Sequence, residues 1–109
     1  MKLSIDAVGI NIGGAITILN NILYYLTKID KSLNIEVYIE EGVPSNIYIY
    51  SNININIKTI KKKSVVKRIV WQQFIFHSKA ISSKSDVVLS ITNIVSFFPK
   101  IPQVVYFHQ

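Results

Sequence analysis

The opening stretch constrains the fold more than anything else in the chain, because its apolar spacing changes from two, to three and four, and back to two around a run of glycines. Leu3, Ile5 and Ala7 alternate with other residues, as one face of a strand over residues 2–8 does. Gly9, Gly13 and Gly14 then mark a loop that permits a tight turn. Over 15–29, Ile16, Leu19, Ile22, Leu23, Leu26 and Ile29 recur at three and four, which predicts a helix with one continuous buried stripe. A short strand over 35–39 follows the turn-like residues 30–34. Strand, glycine loop, helix and strand in that order build parallel α/β sheets, closed by right-handed crossovers.

The alternation continues downstream. Between 46 and 57, Ile47, Ile49, Ile53, Ile55 and Ile57 alternate with Asn46, Asn52, Asn54 and Asn56, predicting a half-exposed strand or hairpin at a sheet edge. Ser64 is placed to cap a second helix over 65–82, just after Lys61, Lys62 and Lys63. Residues 86–91 hold a compact Val-Val-Leu run expected to be a strand buried on both faces. Residues 92–99 read as a loop, and 103–107, introduced by Pro102, as a further strand. A parallel strand inside a sheet needs a neighbour beside it and a helix behind it. The chain is therefore expected to be the opening part of a longer α/β domain, with 1–109 forming less than one complete domain.

Composition excludes several classes of chemistry. At 109 residues there is room for one domain at most. With no Cys there is no disulfide framework, no thiolate zinc site and no Cys nucleophile. Half of the residues are hydrophobic and the mean hydropathy is +0.35, too apolar for a disordered tail. Asp6 interrupts the apolar stretch behind Met1 and Lys2 before a secretion leader could form, and 15–29 is too short and polar to span a bilayer. The net charge of +6 and pI near 9.6 favour anionic partners. Eleven of the twelve cations are Lys, and Arg68 is the single Arg, which argues against base-reading nucleic-acid binding. No metal-ligand cluster and no carboxylate pair stands out, so a self-sufficient hydrolase is not expected.

Candidate site residues follow from position. Gly13 and Gly14, between a strand and a helix, let backbone N–H groups approach a phosphate, although the spacing matches neither the dinucleotide fingerprint nor the Walker pattern. A plain strand-to-helix turn is the other reading. Ligands of open α/β sheets bind beyond the carboxyl ends of strands, which selects His108 and, more weakly, Thr92 and Asn93. His77 falls on the apolar arc of its helix with Gln73 and reads as a hydrogen-bonded structural residue. Trp71 falls among Lys67, Arg68, Gln72 and Lys79 on a helix preceded by Lys61, Lys62 and Lys63. Together these form a candidate surface for anionic lipid headgroups, with a solvated loop and a packed Trp71 as the alternative.

Four segments carry a resemblance: Met1-Lys-Leu-Ser-Ile-Asp-Ala7 leading into Gly13-Gly14, Arg68-Ile-Val-Trp71-Gln-Gln73, Ser85-Asp-Val-Val-Leu-Ser90, and Pro102-Gln-Val-Val-Tyr-Phe-His108. The chain resembles the start of the N-terminal domain of a group 1 (family 4) glycosyltransferase. The resemblance implies a partial Rossmann-like parallel sheet with flanking helices, the acceptor-side half of a GT-B enzyme whose C-terminal donor-binding domain is absent. It implies a retaining, metal-independent sugar transfer from a nucleotide-diphosphate sugar to a glycan or lipid-linked acceptor in cell-surface polysaccharide synthesis, with no permanently bound cofactor. Gly13 and Gly14 would lie near the donor phosphates, and His108 would contact the transferred sugar. Gln72 and Gln109 depart from the Glu and Asp that relatives often carry there. The implied location is cytoplasmic, peripheral at the inner membrane face. The competing readings are a small basic module binding membrane or nucleic acid, and another nucleotide-binding α/β enzyme, against which the glycine spacing counts.

Overall fold

The computed structural model of the chain describes residues 1–8, 13–29, 32–41, 55–61, 64–91 and 101–105. Among them, β1 (Lys2–Asp6), β2 (Asn34–Glu40), β3 (Ile55–Ile60), β4 (Val87–Ser90) and β5 (Gln103–Val105) form one all-parallel sheet in the order β3-β2-β1-β4-β5. Helix α1 (Gly13–Ile29) lies between β1 and β2 in the chain. Helix α2 (Val65–Val70), a π-helical turn (Trp71–Ile75) and helix α3 (Phe76–Ser82) run on without a break before β4.

Strand parity assigns the helices to opposite faces. Leu3 and Ile5 of β1, with Ile35, Val37 and Ile39 of β2, pack with Leu19 and Leu23 of α1. The alternate residues Tyr38 and Val88, with Val8, pack with Trp71, Phe76 and Ala80. Strand order and two-sided helices make this a Rossmann-like α/β fold with a five-stranded parallel sheet among the described residues. From β1 the chain moves to one side, to β2 and β3, then crosses to the other, to β4 and β5. The switch point therefore falls between β1 and β4.

Several boundaries move for physical reasons. Helix α1 begins at Gly13, two residues before the predicted start, since the first turn of a helix needs no intrahelical N–H partners and glycine adopts helical angles freely. Its buried stripe is shorter than expected, because Ile29, the last helical residue, is exposed. β3 is an edge strand as expected, with Ile55 buried and Asn56, Lys58 and Thr59 exposed; residues 46–54 of the Asn/Ile alternation lie outside the described residues. Ser64 caps α2 as expected, its Oγ accepting from the Lys67 N–H at 3.4 Å. β4 is buried on one face only: Val88 and Ser90 are covered, whereas Val87 and Leu89 are half-buried. Among the described residues β5 is an edge strand with Val104 56% exposed, and 106–107, the rest of that predicted strand, lie outside the described residues.

Candidate functional site at the carboxyl end of the sheet

Asp6 and Ser90 end β1 and β4 in register, and the Ile91 N–H donates to the Asp6 carbonyl at 3.2 Å, so the two strands exit together. This is the crevice where open α/β sheets take their ligands. The Asp6 side chain turns to the α2–α3 face, where only 1% of the residue is exposed. Its Oδ1 accepts from the Val8 N–H at 3.1 Å, an Asx turn, and from Trp71 Nε1 at 3.0 Å. Its Oδ2 has no hydrogen-bond partner among the described residues.

Burial pushes the Asp6 carboxyl from 3.8 up to about 7, against the pull of the Trp71 and Val8 hydrogen bonds and with a push from the nearby Glu40 charge. The two other buried carboxylates on this face are neutralised by cations. Glu40 pairs with Arg68 at 3.0 Å. Glu36 pairs with Lys2 and Lys58, each at 3.4 Å. Burial opposes the Glu36 charge, but Lys2, Lys58 and a hydrogen bond from Ser83 outweigh it and hold its pKa below the usual value. Tyr38 donates its hydroxyl to Glu36 at 3.2 Å and, buried beside that charge, is pushed up to about 12. Asp6 is thus a buried carboxyl that changes charge near neutral pH.

The sequence candidates divide between this crevice and elsewhere. Gly13 and Gly14 open α1, the helix that follows β1, and its first turn carries no acidic residue that would oppose an anion there. Thr92, Asn93, His108, Lys62 and Lys63 lie outside the described residues. Among the described residues, no cluster of ligating side chains could hold a metal ion.

The Trp71 surface expectation is overturned. Trp71 is 2% exposed and packed in an aromatic cluster, edge-on to Tyr38 at a ring-centroid distance of 5.5 Å and tilted against Phe76 at 6.2 Å. The cause is the π turn: the Phe76 N–H bonds the Trp71 carbonyl five residues back. In a regular α-helix residues five apart lie roughly 140° apart around the axis, whereas the wider turn brings both onto the sheet. Arg68 also leaves the proposed cationic face, being half-buried against Glu40. Lys61 and Lys67 remain exposed. His77 is buried as expected, but neither ring nitrogen has a hydrogen-bond partner among the described residues, and burial lowers its pKa.

Sequence reasoning treats Asp6 only as part of the first strand and does not anticipate its buried, Trp71-bonded carboxyl at the strand's end. The signal was present in the alternation, because Ser4 and Asp6 share the strand face opposite Leu3 and Ile5. Comparison with family models, with curated proteins and with solved structures finds no match for this chain.

Proposed function

We propose that this chain is the acceptor-side half of a retaining GT-B glycosyltransferase. In this reading it moves a sugar from a nucleotide-diphosphate donor to a glycan or lipid-linked acceptor of cell-surface polysaccharide. The observation that carries this reading is the switch-point crevice between β1 and β4, entered by a helix that opens on Gly13 and Gly14 with no acidic residue in its first turn. The sequence resemblance supplies the rest. Gly13 and Gly14 cradle the donor phosphates, His108 contacts the transferred sugar, and no metal or permanent cofactor takes part; the strand-end rule adds Thr92 and Asn93 to the cleft. The protein works in the cytoplasm, at the inner membrane face.

Transfer needs a second, donor-clamping domain, because preorganised charge and water exclusion come from closing two domains on the donor. The 109 residues alone are expected to show no turnover. The test is an assay of the complete reading frame that carries these residues, offered labelled nucleotide-diphosphate sugars and lipid-linked glycan primers. Transfer that survives EDTA and drops on the order of 10²-fold in His108→Ala is expected. Absence of transfer with every donor, or transfer indifferent to His108→Ala, contradicts the reading.

A further inference from the structure

The helix that buries Trp71 turns a different set of apolar residues outward. Val66 is 70% exposed and Phe74 62%, and Ile69, Val70 and Ile81 are exposed with them. Val66, Val70 and Phe74 succeed one another at four-residue steps, and Ile69 flanks that row. Single exposed apolar side chains are ordinary, but a row of them along one helix marks a surface that meets something.

Charge identifies the partner. From Lys61 to Ser85 the chain has seven cations and no Asp or Glu. Of these, Lys61, Lys67, Lys79 and Lys84 are exposed, whereas Arg68 is spent on Glu40 inside. An apolar row set among exposed lysines, with no ion pair to them among the described residues, matches an anionic bilayer surface, where the row enters the acyl boundary and the lysines meet phosphate headgroups. Nucleic acid offers phosphates but nothing for Val66, Ile69 and Val70 to bury against. Among the described residues no helix is long and apolar enough to cross a membrane, so this one would lie along the surface.

We propose that the outer face of the 65–82 helix, centred on Val66, Val70 and Phe74 and flanked by Lys67 and Lys79, docks the protein on anionic membrane. The proposal deepens the membrane-face location given above and does not depend on sugar transfer. It replaces Trp71 by Phe74 as the residue that enters the lipid.

The test uses the full chain with phosphatidylcholine vesicles, with and without phosphatidylglycerol. Co-sedimentation with the anionic vesicles alone, weakening with salt, is expected. Phe74→Ser should weaken it by about tenfold or more. Lys67→Glu should weaken it by about fivefold or more. Both positions are exposed, so circular dichroism should be unchanged. Trp71 is the single Trp, and its emission should escape quenching by brominated lipid, whereas an added Phe74→Trp should be quenched. Several results would overturn the proposal: no binding, equal binding to neutral vesicles, binding indifferent to both variants, or a dimer that forms without lipid and is dissolved by Phe74→Ser.

Discussion

Burial of Asp6 makes the stability of the fold depend on pH. Its carboxyl titrates at 3.8 when exposed and at about 7 when folded, so between those values the folded chain holds a proton that the unfolded chain has released. The stability it contributes is complete below about pH 4, falls as pH rises to about 7 and is flat above, by up to about 4 kcal/mol in all. His77 acts in the opposite sense, since its lowered pKa withdraws stability as pH falls below 6.5. Glu36, held low by Lys2 and Lys58, does the same below 4.5. Comparing the wild type with Asp6→Asn isolates the Asp6 contribution. The amide keeps an acceptor for Trp71 and Val8 and removes the buried charge, so Asp6→Asn should stabilise the fold at pH 8 more than at pH 5. Urea unfolding followed by Trp71 emission reads this directly, and destabilisation at pH 8 would contradict it. Sequence spacing places Asp6 on the face opposite Leu3 and Ile5, but its pairing with Trp71, 65 residues away, depends on the crossover.

The 65–82 helix shows, at the element scale, where periodicity misleads. A wheel at 100° per residue sends Trp71 outward, and nothing in the residue types announces the π turn that resets the phase and turns Trp71 inward. The helix end is simpler. Ser85 N–H bonds the Ala80 carbonyl at 2.9 Å and Lys84 N–H bonds that of Ile81 at 3.0 Å, a Schellman closure with Lys84 at φ 61°. A side chain in that left-handed conformation costs about 1 kcal/mol relative to glycine. Lys84→Gly should therefore raise unfolding free energy by up to about 1 kcal/mol, measured by urea denaturation. A loss of stability would mean that Lys84 makes a contact that offsets the strain. The Ser64 cap, by contrast, is legible because Ser three residues ahead of a helical N–H has one local partner to find.

For the whole molecule, alternating periods of two and three-to-four are enough to anticipate a parallel α/β sheet, because a crossover helix is what joins parallel neighbours. Which strand lies beside which is not encoded locally; it comes from the apolar faces of α1 and of the 65–82 helix closing on opposite sides of β1. Between α1 and β5 a groove of about 320 Å³ is lined by Leu3, Ile22, Leu26, Val87, Leu89, Val104 and Val105, and this is why β4 is covered on one face only. The candidate site is legible as a location, the carboxyl end of the β1 and β4 strands, more than as a set of contacts, since Gly13 and Gly14 are placed at the start of α1 while the partner loops lie outside the described residues. Under the proposed function this crevice takes the phosphates of a nucleotide sugar. Amide NMR of the labelled chain, titrated with nucleotide-diphosphate sugars, tests it most directly. Saturable shifts centred on Gly13, Gly14 and residues 92–93 are predicted. Shifts absent there, or confined to the 65–82 helix, would contradict it.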